Sequence, residues 1–432
     1  MTAAEAVAVA ALVVVLGATA LLVDPGAHAS FDAPKRLAAL TGASIAAVAA
    51  LVSVRSSRRL RDAWQSLGPA ARVALVATAL ALVWAAVSAF LSPRRAASVD
   101  ALRALALYLL FLPLGASDAF GRGRRALVVA FLGATAVNAA VSLLQSRGVR
   151  VFRLETFGTR NETGALAGNV GYLALAIAIA GVLSVGIALT AKRKLHRFLA
   201  AGVVLLLLAA LAVNRNLTAI VSILAGGIAL LVGLAGRRSL LRIGAVAILA
   251  AAAVFAVAPL RNRAMDAISA VRAGDWDRLT TYRTGAWAAA VEMTRERPLV
   301  GWGPGTYASE FVPHRLAAEI RARRRFVNPL VTSSYSEAHC DYLQAFAEGG
   351  IPGGLLVLVA AGALLVAVAR RARSGSPSRA EAAILFGMLV VGAAAALTWF
   401  PMQRPISAAP LLLAAGRGWR LAATAPGENP AP

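Results

Sequence analysis

The chain has one cysteine, four histidines and three lysines among its 432 residues. With Cys340 alone no internal disulfide can form, and cysteine usage leaves the redox compartment open. Four scattered histidines and one cysteine offer no zinc spacing. Acidic residues are also scarce: 20 Asp and Glu stand against 44 Lys and Arg, for a formal charge of +24. That balance can mark a nucleic-acid binder, but here the basic residues fall in short clusters between apolar runs, with no aromatic-interleaved patch. They read instead as membrane-topology signals and contacts to lipid headgroups, with no nucleic-acid partner. Lys35, Lys192 and Lys194 are the only lysines, so nearly all positive charge is Arg and a single arginine carries little information. What the chain has in abundance is apolar: 59% of residues are hydrophobic, which excludes an ordinary globular protein and points to an all-α, polytopic membrane protein.

A helix needs about 20 mostly apolar residues to cross the hydrocarbon core. The runs that meet this lie near 5–23, 37–54, 70–91, 99–115, 124–145, 165–190, 196–213, 216–235, 239–258, 351–369, 380–399 and 405–420, about twelve spans. The first run lacks a basic n-region, so an uncleaved first helix is expected, although "AHA" at 27–29 imitates a cleavage site. The clusters "RSSRRLR", "GRGRR", "KRKLHR", "GRRSLLR" and "RRARSGSPSR" fall in alternate loops, which places those loops and both termini in the cytoplasm. The four arginines of residues 146–164 oppose this rule.

One connection differs in kind. Residues 259–338 carry mixed charge, aromatics, Pro and Gly, and fall on the extracytoplasmic side; a loop that long without a role is uncommon. The chain therefore divides into spans 1 to 9 (1–258), a large extracytoplasmic loop (259–338), and a short helix with spans 10 to 12 (339–432). Within the loop, "DRLTTYRTGAWAAAVEMTRER" reads as an amphipathic helix ended by Pro298, "GWGPG" as a turn, and "PHRLAAEIRARRRF" as a second, basic helix. Asp275 and Asp277 imitate a metal-binding Asp-x-Asp but read as helix caps. Ser334 followed by Glu337 reads as a capping box, so a helix is expected from about Tyr335 to Gly349-Gly350. On that helix His339, Tyr342, Leu343 and Phe346 would share one face, and Asp341, Gln344 and Glu348 an outward polar one.

Two readings of His339 are open: an interfacial histidine bonded to a neighbour, or a general base kept neutral near a helix N-terminus. Cys340 beside it reads as packing, because adjacent helical side chains diverge by about 100°. Arg215 lies in "NRN", a turn so short that its side chain must sit at the membrane surface on the same side as His339. Snorkelling is the plain reading; the sharper one is a diphosphate contact, which also suits Arg283, four residues before Trp287. The dense run Arg321, Arg323, Arg324, Arg325 reads as a solvated or headgroup face, or as an auxiliary phosphate site.

Taken together, "NRN" with "LTAIVSILAGGIALL", "RTGAWAAAVEMTRERPLVGWGPGTY" and "EAHCDYLQAFAEGGIPG" resemble the O-antigen ligase and O-antigen polymerase superfamily across about residues 155–365. "GTRNETGALAGNVGYLA" is similar to the family's Asn-containing loop without its Asn-Pro-Asn. The resemblance implies a GT-C-like, metal-independent, inverting glycosyltransferase without a cofactor. Such an enzyme moves a glycan from undecaprenyl diphosphate to a hydroxyl acceptor such as the lipid A core, at the periplasmic face of the bacterial inner membrane. It further implies His339 as base, Arg215 and Arg283 as catalytic cations, and Arg160, Asn161, Arg321, Arg324, Tyr342 and Glu348 as substrate contacts. A polymerase or a protein-directed oligosaccharyltransferase would use the same motifs. A transporter of the same superfamily is a rival from another class, disfavoured because charge is nearly absent from the span centres, where Asn138 and Arg103 are the modest exceptions.

Overall fold

The computed structural model describes residues 1–27, 29–53, 67–149, 163–235, 258–326 and 335–423. Among these the regular structure is helical: α1 (Ala3–Leu21), α2 (Ala33–Ser53), α3 (Pro69–Phe90), α4 (Arg95–Leu109), α5 (Phe111–Ala116), α6 (Asp118–Gln145), α7 (Val170–Thr190), α8 (Lys194–Asn214) and α9 (Leu217–Ala235). Then follow α10 (Ala258–Arg272), α11 (Trp276–Leu279), α12 (Thr284–Glu296), α13 (Tyr307–Ala322), α14 (Asp341–Ala372), α15 (Arg379–Ala395) and α16 (Pro405–Ala423). Nine of the described segments are long and apolar enough to cross a membrane, which makes this an all-α, multi-pass membrane protein. The expected span 239–258 lies outside the described residues apart from its last position. The expected spans 380–399 and 405–420 form α15 and α16, helices that are shorter or less apolar than those nine.

α7 is the central helix: 72% of its apolar window is buried, against 22% for α8. Its small residues Gly171, Gly181 and Gly186 accept side chains from α9, α15 and the segment after α15. α9 lies along α15, α3 along α14, and α1 along α2 and α6. Midspan polar groups are bonded internally, as a low-dielectric surround demands. Asn138 donates to the carbonyls of Ala20 and Ala134 at 3.0 and 3.1 Å and accepts from the Ala167 N–H at 3.1 Å. Arg103 is exposed and pairs with Asp100 at 2.8 Å, one helical turn away.

Ion pairs sort the loops to two ends of the bundle, in the same grouping as the charge pattern. At one end Arg122 pairs with Glu5, Arg417 with Glu381 and Arg420 with Asp118, and Arg379 caps the carbonyls of Gly233 and Leu234. At the other, Arg404 joins the loops that precede α2, α14 and α16. The segment 258–326 attaches at this second end.

Two sequence expectations about this segment need correction. The first loop helix starts at Thr284 rather than Asp277, because Thr281 and Tyr282 adopt left-handed backbone (φ 58° and 63°) that a helix cannot continue through. The second starts at Tyr307, ahead of Pro313, and ends at Arg323, whose left-handed conformation (φ 51°) terminates it. Asp275 caps α11 as expected, accepting from the Arg278 N–H at 3.0 Å.

Candidate active site

A further correction concerns the helix that carries "HCDYLQ". Residues 335–340 are not helical; α14 begins at Asp341 with Cys340 as N-cap, and Ser334 lies outside the described residues. His339 is left-handed (φ 55°), so the shared helical face drawn through it does not exist. Two sets of hydrogen bonds hold this bend. The Asp341 N–H donates to the carbonyls of Ala396 and Trp399 at 3.0 and 3.3 Å, and the Ala338 N–H to the Gln344 side chain at 3.1 Å. Its neighbour Cys340 is buried, and burial pushes the thiol above its usual range, in keeping with a packing role.

The bend fixes the imidazole. His339 Nδ1 lies 3.0 Å from the Glu337 carbonyl, and a carbonyl only accepts, so Nδ1 carries the hydrogen and Nε2 is the basic nitrogen. The ring stands edge-on to Tyr335, Trp399 and Phe400, with centroids 4.9, 5.2 and 4.9 Å away. Trp399 and Phe400 stack on each other at 4.6 Å and 16°. The Arg283 guanidinium sits 4.8 Å from the Trp399 ring centroid and that of Arg404 5.3 Å from Phe400. Two arginines therefore flank an aromatic pair that is itself against the histidine.

Arg283 donates from Nη1 to the Thr398 carbonyl at 2.8 Å, and the Thr398 hydroxyl lies 3.0 Å from that of Thr218 in the first turn of α9. Arg215 is in the turn just before that helix, exposed and left-handed (φ 57°), with its N–H bonded to the Leu211 carbonyl at 3.0 Å. Its neighbour Asn216 caps α9 through the Ala219 N–H at 3.0 Å. Trp287, one helical turn after Arg283, donates its indole N–H to the His339 carbonyl at 3.3 Å. Segment 396–404 thus gathers the first turn of α9, the start of α12 and the bend of His339, while Arg215 stands exposed in the turn that precedes α9.

The remaining sequence candidates are placed otherwise. Tyr342 donates its hydroxyl to the Ala393 carbonyl at 3.1 Å. Gln344 and Glu348 do not form an outward face: Gln344 is buried and donates to Glu348 at 3.0 Å, and Glu348 accepts from the Tyr307 N–H at 3.3 Å. Arg321 holds Glu292 at 2.6 Å, and Arg324 reaches Asp277 at 3.3 Å. Those side chains serve the packing of α11, α12 and α13. Burial pushes the Asp277 carboxyl above its usual range, an effect that the charge of Arg324 opposes. Arg160 and Asn161 lie outside the described residues.

The "GWGPG" turn abuts α14 where that helix breaks. Gly301 and Gly350 both have left-handed φ, of 66° and 67°. A Cβ on Gly301 would meet the Glu348 carbonyl at 2.4 Å, and one on Gly350 the Leu299 carbonyl at 2.3 Å. The close approach lets Trp302, Gly303 and Ile351 donate to the carbonyls of Ala347, Glu348 and Pro298 at 3.1, 2.8 and 2.7 Å. From α3 and α4, Trp84 donates to Gly349 at 2.7 Å, Ser88 lies 2.8 Å from the Glu348 carbonyl, and Ser98 donates to Pro304 at 3.0 Å. Sequence reading missed these serines, along with Trp399, Phe400 and Arg404. A run "TWFPMQR" at the end of an apolar span, on the side of His339, is the signal that could have found the last three.

Beside the site a largely apolar cavity of about 380 Å³ runs between α3, α14, α15 and α16. Its polar wall is formed by Asp341, Gln344, Glu348 and Gln403.

Among curated proteins no match to the chain is found. Residues 201–358, which contain Arg215, Arg283, His339 and the interlocked turn, match the family model described as O-antigen ligase. This match covers about a third of an all-α multi-pass chain, includes Arg215, Arg283 and His339 but not Trp399, Phe400 and Arg404, and supports a likeness to the O-antigen ligase superfamily.

Proposed function

We propose that the protein transfers a glycan from undecaprenyl diphosphate to an acceptor hydroxyl, the lipid A core in the ligase reading, at the periplasmic face of the inner membrane. The observation that carries this is the joint seating of His339 and Arg283, both inside the stretch that matches the family model, on Trp399, which lies beyond it. In this reading the acceptor oxygen attacks the anomeric carbon as the sugar–phosphate bond breaks, which inverts that carbon. The acceptor proton passes to His339 Nε2, and the diphosphate leaves with the bonding electrons. Base catalysis of this kind contributes on the order of 10² to 10⁴ in rate. Arg283 and Arg215 stabilise the departing charge, and loss of one such donor costs on the order of 10² to 10³ in turnover. The reaction so described needs no cofactor from the protein.

The adjacent apolar cavity suits a substrate borne on a lipid, and its amide and carboxyl groups suit hydroxyls. Transport is less well supported, since Asn138 is occupied by backbone groups and Arg103 is paired outside the bundle.

The test is the surface glycan of a strain lacking the gene. The ligase reading expects long lipid-linked chains with no capped lipid A. Single capped repeat units would transfer the assignment to polymerisation, and an unchanged glycan would remove the proposal.

A further inference from the structure

Arg404 is only 7% exposed, on the far side of the aromatic pair from Arg283. Its Nη1 pairs with Asp32, in the loop before α2, and its Nη2 with Glu337, two residues before His339. The guanidinium also lies over Tyr172 of α7, 4.6 Å from the ring centroid, and over Phe400 at 5.3 Å. Burial works against its charge, but the Tyr172 phenol, Glu337 and Asp32 together hold its pKa above the ordinary guanidinium value.

Two routes lead from Arg404 to the imidazole. One runs through Glu337: Arg404 holds its carboxylate, and its backbone carbonyl takes the Nδ1–H of His339 at 3.0 Å. The other runs through Phe400, whose ring packs on both Arg404 and His339. A lysine could not serve both acidic partners in this way. Its single ammonium lacks the planar fork that places two donors at fixed separation, and it stacks poorly on rings. The simplest alternative is that the ion cluster only holds loops together, yet that role would not require its acidic member to sit two residues from the histidine and hold it by the main chain.

We propose that Arg404 is a positioning residue: clamped between Asp32 and Glu337, it sets the orientation and tautomer of His339 and so presents Nε2 to the acceptor hydroxyl. The inference rests on the reading of His339 as the base. A displacement of about 1 Å at a reacting group can cost on the order of 10² in rate, and that is the scale at issue.

The experiment uses the full-length protein in lipid nanodiscs with a synthetic polyprenyl-diphosphate glycan as donor and a hydroxyl glycolipid as acceptor. Removing Arg404 alone would take its partner from the buried Glu337 carboxylate and the half-buried Asp32 carboxylate and threaten folding. The variant to make is therefore Arg404→Met with Asp32→Asn and Glu337→Gln, which removes the cluster without stranding a charge. Glu337→Gln alone, which leaves Arg404 paired with Asp32, and Arg404→Lys serve beside it. The expected result is a fall in kcat on the order of 10- to 100-fold with KM for the donor unchanged, and with thermal stability near that of the parent for Glu337→Gln. Turnover within about twofold of the parent in the triple variant or in Glu337→Gln would overturn the proposal, as would a rise in donor KM at constant kcat. His339→Ala, run in parallel, separates the two claims. If it keeps normal turnover, the reading of the base fails; if it loses turnover while the cluster variants keep theirs, only the positioning role fails.

Discussion

Replacing Gly350 by alanine should strongly destabilise the protein. Gly350 has φ 67° and ψ −173°, a conformation essentially confined to glycine, and forcing an L-residue into it costs about 1–3 kcal/mol. The added carbon would also stand 2.3 Å from the Leu299 carbonyl and 2.7 Å from that of Pro298, both backbone atoms that cannot swing aside. Relief requires the 298–305 turn to back away from α14, which breaks the hydrogen bonds donated by Trp302, Gly303 and Ile351. Each is worth about 0.5–1.5 kcal/mol net, so the whole penalty is roughly 3–7 kcal/mol. Equilibrium unfolding in detergent, followed by tryptophan emission, reads it directly, because Trp302 sits in the turn. Gly349→Ala is the control: its added carbon would meet only Trp84, at 4.0 Å. If Gly350→Ala unfolds within about 1 kcal/mol of the parent, the interlock is not what holds the turn to the helix.

Other expectations follow from the same contacts. Ser98→Ala should cost about 1–3 kcal/mol, because it takes the hydroxyl donor from the Pro304 carbonyl in a buried bond, and the same unfolding assay checks it. Hydrogen bonding to Arg321 holds the Glu292 carboxyl below its ordinary value of 4.5, with burial opposing. A depressed folded pKa stabilises above the unfolded value, so the stability gap between the parent and Glu292→Gln should be full above about pH 4.5 and shrink as pH falls further. Cys340 is 5% exposed and its thiol pKa is raised by burial, so maleimide labelling in native membranes should be far slower than after unfolding.

The spans were legible because lipid imposes a length and an apolar composition that a sequence displays openly, and the described part of the bundle follows them closely. The "GWGPG" turn was legible too, since three glycines at that spacing mark backbone that other residues avoid, and Gly301, Gly303 and Gly305 all have left-handed φ. What local reading could not supply is the bend at His339. A helical wheel drawn from Tyr335 assumed regular backbone, whereas Asp341 bonds to carbonyls at 396 and 399, more than 50 residues away. Glu337 looked like the closing half of a capping box, since Glu three residues after Ser is its signature; its actual partner, Arg404, lies 67 residues on. The same reasoning explains why Trp399 and Phe400 went unremarked: two aromatics at the end of an apolar span ordinarily mark the membrane interface. Gln344 and Glu348 do not face outward, as an acidic residue on a short helix usually does, because they accept from the Ala338 and Tyr307 N–H groups and line the cavity between α3, α14, α15 and α16.

The central claim is that His339 takes the acceptor proton while held by the Glu337 carbonyl. It is tested most directly by glycan transfer in nanodiscs with His339→Ala, at matched protein amounts and with donor binding measured separately. The expected result is a loss of turnover on the order of 10² or more with donor affinity retained. Turnover equal to that of the parent would contradict it.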